Sequence, residues 1–309
     1  MRSKAEHTAA IREHRRAVVV INTHSRRGRH RYYEAVRLLD EAGFNVLESS
    51  AVVDPRSLTA TLERALALRP DLLIVGGGDG SLSEAVKRLA HTDVALGVLP
   101  LGTTNNFARS LGLPLTLPGA IRVLTHGKVA DVDVGAVDDH LFANLASCGV
   151  SVEVATNVKP WLKRIIGRTA YPLTALALLP GHRPFRAIMT VDGKRHELLT
   201  HQLNIANGRF YGGRLIARDI SIDNRTLVAY QLGSGKRLRL LAEVMFLAFT
   251  GRRRNLAGGP FLTARELHLE TFPPLAVDLD GEVHGMTPVH IRSLSNALRV
   301  MVPPGFVDT

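Results

Sequence analysis

A short run of residues, Gly76-Gly-Gly-Asp-Gly80, has a composition suited to phosphate chemistry. Its four glycines leave no Cβ to block a ligand, and their backbone freedom lets several N–H groups converge on one point. Leu72 to Val75 predicts a buried strand before the run, and Ser81 to Leu89 predicts a helix after it. Phosphates bind at such turns. The carboxylate of Asp79 would repel a phosphate unless Mg²⁺ or a transferable proton lay between them.

The glycine run alone leaves other interpretations open. A structural tight turn in which Asp79 caps the helix would use the same residues. A dinucleotide fingerprint would need a glycine at Ser81 and an acidic residue at the end of the next strand, where Leu99-Pro-Leu101 has none. A Walker loop would need Gly-Lys-Ser/Thr, which the chain lacks.

A second polar loop, Pro100 to Asn106, follows the next predicted strand. Gly102 would let the backbone approach a ligand, and Thr103 to Asn106 offer hydroxyl and amide groups beside a helix that opens near Phe107. An N-cap cluster without a ligand fits these residues equally well.

A third stretch, Ala276 to His284, carries three acidic residues at alternate positions: Asp278, Asp280 and Glu282. In an extended strand they would share one face, where clustered carboxylates need a cation or a shared proton. The alternative is a hairpin, because Asp280-Gly281 is a common turn sequence.

The first half of the chain alternates predicted strands and helices, which indicates a parallel sheet with its ligand loops at the carboxyl ends of the strands. We predict strands at Ala17 to Asn22, Phe44 to Leu47, Leu72 to Val75 and Val94 to Leu99, with helices at Arg31 to Glu41 and Pro55 to Leu68. Met1 to Arg16 is polar and basic, and we expect a flexible tail there.

After about Asp131 the pattern changes to short alternating segments between Gly, Asp and Asn turns, which predicts an antiparallel β domain. A helical insertion, Ser151 to Leu179, combines Trp161 and basic residues with an apolar stretch. It could rest on an anionic membrane or simply pack on the sheet. The fold class is therefore α/β plus β, with an α/β domain at residues 1–130 and a β-rich domain at 131–309 whose last residues could return to the first domain.

Composition narrows the classes of partner. The formal net charge of +11 favours anions such as nucleotides or anionic lipid headgroups, but it cannot choose among them. The single cysteine, Cys148, excludes an intramolecular disulfide. The apolar stretches fall short of the ~20 residues that span a bilayer. Because no aromatic-basic stacking platform is evident, we expect no nucleic acid partner.

Four ordered motifs together resemble the diacylglycerol kinase catalytic family of soluble bacterial lipid kinases, to which sphingosine and ceramide kinases are related. Gly77-Gly-Asp-Gly-Ser81 with Glu84 is similar to the family's Gly-Gly-Asp-Gly-Thr…Glu. Pro100-Leu-Gly-Thr-Thr-Asn-Asn-Phe-Ala-Arg109 is similar to its Pro-x-Gly-Thr-x-Asn-Asp-Phe-Ala-Arg. Asn207-Gly-Arg-Phe-Tyr-Gly-Gly213 and Asp280-Gly-Glu282 are similar to later blocks.

The resemblance implies an ATP- and Mg²⁺-dependent kinase with a cleft between an α/β nucleotide domain and a β-sandwich-like domain. It implies that Asp79 holds the catalytic Mg²⁺, and that Glu282, with Asp280 beside it, takes the proton from the lipid hydroxyl. The residues that it assigns to ATP are Asn22, Thr23, His24, Ser25, Arg26, Ser50, Gly77, Gly78, Asp79, Gly80, Ser81, Leu82, Ser83 and Thr103.

The chain departs from the family pattern at three places. Ser81 replaces a threonine and keeps its hydroxyl, whereas Asn106 replaces an aspartate and removes a charge. The turn that holds a structural Mg²⁺ in bacterial members contains Asn224 where the metal-binding carboxylate would stand. Ser221, Asn224 and Thr226 are therefore only candidate ligands of a second ion.

We expect a kinase that phosphorylates a membrane lipid hydroxyl, with diacylglycerol, giving phosphatidic acid, as the default substrate. Phosphatidylglycerol and a ceramide-like lipid remain alternatives. A kinase of a soluble substrate, similar to NAD kinase, and a non-catalytic nucleotide or lipid sensor also stay open. We expect a cytoplasmic protein in peripheral contact with an anionic membrane, and we leave open a homodimer.

Overall fold

The computed structural model describes residues 2–24, 28–158, 181–211, 213–215, 221–232 and 262–308. Within these ranges the helices are α1 Lys4–His14, α2 Gly28–Glu41, α3 Leu58–Ala67, α4 Asp79–Leu89, α5 Asn106–Ser110, α6 Leu117–His126 and α7 Val150–Asn157. A single 3-10 turn, Pro55–Ser57, leads into α3. The residues of the predicted helical insertion around Trp161, expected either to rest on a membrane or to pack on the sheet, lie outside the described residues, and so do Ser25 and Arg26.

The strands of the described ranges are β1 Arg16–Asn22, β2 Asn45–Val52, β3 Leu72–Gly77, β4 Ala95–Pro100, β5 Lys128–Val137, β6 His140–Phe142, β7 Leu145–Gly149, β8 Phe185–Val191, β9 Lys194–Thr200, β10 Gln202–Ala206, β11 Phe210–Tyr211, β12 Arg214–Leu215, β13 Leu227–Leu232, β14 Leu262–Ala264, β15 Glu266–Phe272, β16 Ala276–Leu279, β17 Glu282–Met286 and β18 Val289–Val302.

The first sheet runs in the order β2-β1-β3-β4-β18-β15-β8-β9, with β5 paired to β18 and to β6. β1 to β4 are parallel to one another, and β18 is parallel to β4, as expected of strands joined by helical crossovers. β18 then pairs antiparallel with β15 and β5, so this last long strand joins the parallel half of the sheet to the antiparallel half.

The second sheet is antiparallel, in the order β14-β13-β10-β7-β16-β17. An apolar cluster that includes Ala187 and Leu269 of the first sheet and Ala146 and Ile205 of the second lies between the two sheets, as in a β-sandwich. The predicted fold class, a parallel-sheet α/β part and an antiparallel sandwich-like part, is thus confirmed.

The glycine-rich loop follows β3, whose residues Leu72 to Gly77 are all buried. Such continuous burial is typical of a parallel strand with helices on both faces. Apolar side chains of β1 alternate between the two cores, with Val18 and Val20 on one face and Val19 and Ile21 on the other. The strands β1, β3 and β4 pair in register up to their carboxyl ends, so the loops that follow them lie side by side at one edge of the sheet.

The expectation of a flexible tail at residues 1–16 is wrong, because most of this segment is helix α1. Ser3 and Glu6 form a capping box at its start, and Ile11 is 1% exposed against the first sheet. The Thr8 hydroxyl also accepts a hydrogen bond from the backbone N of Val129, at the start of β5 (2.9 Å).

Candidate active site

Two glycines, Gly77 in the predicted phosphate loop and Gly102 in the second loop, are needed for close packing between these loops and α4. A Cβ on Gly102 would lie 2.5 Å from the Gly78 Cα, and a Cβ on Gly77 would lie 2.6 Å from the Ser81 side chain. The Leu101 and Gly102 amides both donate to the Gly77 carbonyl oxygen (3.0 and 3.1 Å). The loop after β4 is therefore fastened directly onto the loop after β3.

The α4 helix begins at Asp79, with Gly78 as its N-cap. The amides of Ser81 and Leu82 donate to the Gly78 carbonyl oxygen. In a helix the amides ahead of these, those of Asp79 and Gly80, have no intrahelical acceptor. Since a Cβ on Gly80 would meet nothing within 4 Å, this end of the helix is open to an anionic group.

Asp79 is held at the start of α4 by the second loop. Its Oδ2 accepts from the Thr104 hydroxyl (2.7 Å) and its Oδ1 from the Phe107 backbone N (3.2 Å), at the start of α5. A carboxylate has about four lone-pair positions, so each oxygen keeps one for a further ligand. A hard oxygen donor with a fixed orientation suits Mg²⁺, which proteins bind through one or two carboxylates plus phosphate oxygens and water.

Thr104 and Asn105 were not among the predicted site residues, although the sequence placed both in the polar loop. Asn105 has a left-handed backbone (φ 48°) and its side chain bridges the Gly102 amide and carbonyl groups (2.9 and 3.0 Å). Asn106 accepts from the Gly213 backbone N (2.7 Å), so the residue that replaces the family's aspartate links this loop to the β11–β12 hairpin.

The predicted nucleotide residues before the glycine loop divide into two groups. Asn22, at the end of β1, donates to the Ser81 Oγ (2.9 Å), so these two side chains lie beside the glycine loop. Thr23 donates to the Val52 carbonyl, and His24 contacts the Val53 carbonyl, so both turn toward the end of β2. Ser50 lies within β2, where its hydroxyl donates to Glu48 (3.0 Å).

The remaining residues predicted to bind the nucleotide differ in their exposure and in their hydrogen-bond partners. Thr103 is exposed at the rim of the second loop. The Leu82 side chain is fully buried in the core, and its amide is used within α4. The Ser83 hydroxyl donates to Asp280 (2.7 Å) and so joins the two halves of the chain.

Asp278, Asp280 and Glu282 do not share one face as an extended strand would require. Asp280 and Gly281 form a two-residue hairpin turn with positive φ at both positions (53° and 104°), flanked by the pair Leu279 and Glu282. The hairpin alternative is therefore the correct one. The turn sends the Asp280 carboxyl into the interior and leaves Glu282 on the edge strand β17.

Asp280 is a buried clamp between the two halves of the chain. Its carboxyl oxygens accept from the backbone N atoms of Ala143, Asn144 and Leu145 (2.6, 3.0 and 3.0 Å) and from the Ser83 hydroxyl. Burial raises the pKa of Asp280, while these four donors stabilise its ionised form. With its oxygens occupied in this way, Asp280 positions the Glu282 strand relative to α4.

Glu282 is the exposed acidic group of this region, with a side chain 65% accessible. Its Oε2 lies 3.0 Å from the Lys87 Nζ on α4 and 3.5 Å from the His284 Nε2. The pKa of Glu282 lies below its ordinary value. The hydrogen bond from Lys87 is the largest cause, partial burial opposes it, and the contact with His284 lowers the pKa further. Sequence reasoning missed Lys87, because 195 residues separate it from Glu282.

Asp278, one strand position before the turn, has its pKa raised to about 6, chiefly by burial. The Gly281 amide donates to it (3.0 Å), whereas the neighbouring Asp280 and Glu282 charges oppose its ionisation. Asp278 therefore keeps its proton to a higher pH than an ordinary aspartate does, and it loses that proton as the pH rises through about 6.

The turn at residues 221–226, predicted as a second metal site, uses its polar groups internally. The Asp223 amide donates to the Ser221 Oγ (3.2 Å), and the Thr226 amide donates to the Asn224 Oδ1 (3.3 Å). Among the described residues, no group of three His, Cys, Asp or Glu side chains is arranged to hold a metal ion. Ser221, Asn224 and Thr226 offer hydroxyl and amide oxygens rather than carboxylates, so they stay only candidate ligands of a second ion.

Comparison with known proteins shows which family the chain resembles over its length. Residues 16–137 match the diacylglycerol kinase catalytic domain family, and residues 144–302 match the YegS C-terminal NAD kinase beta sandwich-like domain family. The diacylglycerol kinase of Staphylococcus epidermidis is 30% identical over 278 residues, which cover 87% of this chain and 86% of that protein. That of Staphylococcus carnosus is 30% identical over 284 residues, covering 89% and 90%.

A solved structure of a diacylglycerol kinase from Bacillus anthracis superimposes with a TM-score of 0.75 at 25% identity, covering 95% of this chain and 98% of that one. The fold and the site thus define a kinase. The chain belongs to the diacylglycerol kinase family.

Proposed function

We propose that this protein is an ATP- and Mg²⁺-dependent lipid kinase that converts diacylglycerol to phosphatidic acid. One observation carries the proposal: helix α4 begins at Asp79 beside the open glycine loop and is joined, through Ser83 and Asp280, to the strand that carries Glu282. The helix end that would bind phosphate and the strand with the exposed carboxylate are thereby held against each other.

Phosphoryl transfer needs the acceptor and the nucleotide in fixed positions, neutralised phosphate charge and one proton acceptor. The lipid hydroxyl oxygen forms a bond to the γ-phosphorus, the bond to the β–γ bridging oxygen breaks, and ADP leaves. Glu282 accepts the hydroxyl proton, which is the role of a general base. The Asp79 and Gly80 amides would hold the phosphates, with Asn22 and Ser81 beside them.

Asp79 would hold Mg²⁺, which supplies charge neutralisation at the phosphate oxygens when it is bound. The hydrogen bonds from Thr104 and Phe107 fix the Asp79 carboxylate before any ligand arrives. Such preorganisation avoids an ordering cost at the moment of reaction.

The acceptor is reached at a membrane surface, because diacylglycerol resides in the bilayer. The net charge of +11 favours peripheral attraction to anionic headgroups. In the described parts of the chain no helix is both long enough and apolar enough to cross a membrane.

The test is transfer of labelled γ-phosphate from Mg-ATP to a panel of lipids in mixed micelles. Diacylglycerol, phosphatidylglycerol and ceramide are compared, with NAD as a soluble acceptor and with Glu282→Gln in parallel. Label in diacylglycerol, lost in the variant, is the expected result. Label in NAD would favour the soluble-substrate alternative. NAD is included because residues 144–302 match a family of NAD kinase beta sandwich-like domains. ATP binding without transfer to any acceptor would favour a sensor.

A further inference from the structure

A charged cluster surrounds Glu282 on the side facing α4. Its titratable members are Lys87 and Glu84 on α4, Asp278 on β16, Asp280 in the turn, His284 on β17, and His140 on β6, whose ring lies 4.8 Å from that of His284 between centroids. Nothing in the proposed phosphoryl-transfer chemistry uses Lys87, so its place in this cluster needs its own explanation.

Lys87 is held more firmly than an ordinary surface lysine. Its side chain is 18% exposed, and its Nζ lies 3.0 Å from the Glu282 Oε2 and 3.8 Å from the Glu84 Oε2. Glu84 is itself fixed, since its Oε1 accepts from the Thr59 hydroxyl (2.7 Å) and pairs with Arg88 (3.2 Å). The ammonium group is thus anchored on α4 before it meets Glu282.

The two contacts of Glu282 both use the same oxygen. Lys87 and His284 approach Oε2, and within the described residues the Oε1 atom has no polar partner. Contacts to one oxygen restrict the rotation of a carboxylate and leave its other oxygen available to a further group. Because the Glu282 side chain is 65% exposed, it is accessible to a substrate hydroxyl that arrives from solvent.

Stability gives little reason for such a contact. An ion pair with one largely exposed partner contributes little to the stability of most proteins, because solvent screens it and the side chains lose entropy. Orientation of a reacting group is different, since a displacement of about 1 Å can cost about a hundredfold in rate.

We infer that Lys87 is a positioning residue of the kinase reaction, which holds the Glu282 carboxylate by Oε2 so that Oε1 receives the proton of the acceptor hydroxyl. This inference rests on the proposed function, in which Glu282 is the general base. It also predicts a pH effect. Because Lys87 keeps the pKa of Glu282 low, its removal shifts the acid limb of the kcat profile to higher pH.

The test compares the wild type with Lys87→Met, Lys87→Arg, Glu282→Gln and the double variant Lys87→Met/Glu282→Gln, by lipid phosphorylation at saturating Mg-ATP across a pH series. Lys194→Met, an exposed lysine on β9, is the control for loss of one positive charge in micelle binding. The expected result is a kcat at least tenfold lower in Lys87→Met, with the KM for ATP and the melting temperature unchanged. The acid limb shifts upward in this variant, and Lys87→Arg retains most activity.

The double variant shows whether Lys87 acts through Glu282. A double variant no slower than Glu282→Gln alone supports the inference, because residues that act as one unit are not additive. A further loss in the double variant, or a wild-type kcat and pH profile in Lys87→Met, overturns it while leaving the proposed function intact. Full activity in Glu282→Gln, or an inactive wild type, overturns the proposed function and this role together.

Discussion

Replacing Asp280 by asparagine tests the buried clamp with minimal change of shape. Asparagine also tolerates the left-handed backbone of this position (φ 53°), so the turn itself keeps its preferred residues. What changes is the hydrogen bonding. Oδ2 accepts from Ala143 and Ser83, and Oδ1 accepts from Asn144 and Leu145. An amide must replace one of these oxygens with an NH2 group.

The better of the two amide orientations sets the expected cost. If the NH2 group takes the Oδ2 position, the Ser83 hydroxyl can rotate and accept, but the buried Ala143 amide loses its partner. One unpaired buried amide costs about 1–3 kcal/mol, and loss of the charge from the remaining bonds adds about 1 kcal/mol. Asparagine avoids burying a charge, which offsets part of this. After this offset, we expect Asp280→Asn to lower the free energy of unfolding by about 1–3 kcal/mol.

Urea unfolding of wild type and variant measures this difference. The matched control is Asp192→Asn, because Asp192-Gly193 forms the same kind of turn (φ 47° and 73°) between β8 and β9, with the aspartate exposed. It should change stability by less than about 0.5 kcal/mol. Asp280→Asn should also lower kcat, since the turn before the Glu282 strand is held less firmly once the Ala143 amide has lost its partner. A stability loss in Asp280→Asn no greater than in the control would refute the clamp.

Three further perturbations test separate parts of the description. Ile11→Ala should cost about 2–4 kcal/mol in urea unfolding if α1 is packed, whereas Glu13→Ala on its exposed side should cost little. Gly102→Ala should destabilise the protein, because its Cβ would lie 2.5 Å from the Gly78 Cα; a stable variant with normal ATP binding would contradict that packing. Asp278 has a raised folded pKa of about 6, so native Asp278 binds a proton that the unfolded chain has released. Its contribution to stability is therefore present below about pH 4 and lost as the pH rises through 6. Thermal unfolding should show this fall in the wild type and a weaker one in Asp278→Asn.

The sequence was sufficient for elements whose pattern is local. The apolar run at Leu72 to Val75 and the glycines after it predicted β3, the loop and α4, because continuous burial and small turn residues leave a clear trace. For the stretch around Asp280 the sequence allowed two interpretations. Asp280-Gly281 is a common hairpin turn, whereas the alternating acidic residues also suited an extended strand with three carboxylates on one face. The turn geometry decides between them, since it reverses the chain between Asp280 and Glu282.

The N-terminal helix shows a local signal that was present and overlooked. Ser3 followed by Glu6 is a capping box, and it precedes a segment with one large apolar residue, Ile11. A single apolar contact gives almost no periodicity, so composition favoured a tail. The helix is held instead by tertiary contacts, including the Arg12 guanidinium on the Gly127 carbonyl (2.8 Å), which no local pattern reveals.

The candidate site depends on contacts between residues almost 200 positions apart. Through these contacts one helix, α4, meets both the loop after β4 and the strand that carries Glu282. Asp79, Ser83 and Lys87 lie at successive four-residue steps of α4, which places them along one stripe of the helix. Asp79 meets the loop after β4, Ser83 meets Asp280, and Lys87 meets Glu282. Because a helix is stiff over three turns, a shift of the proposed phosphate-binding end moves the proposed base by the same amount. If these roles hold, α4 sets the spacing between the phosphate and the proton acceptor, and a variant that weakens either cross-contact should alter kcat before it alters nucleotide binding.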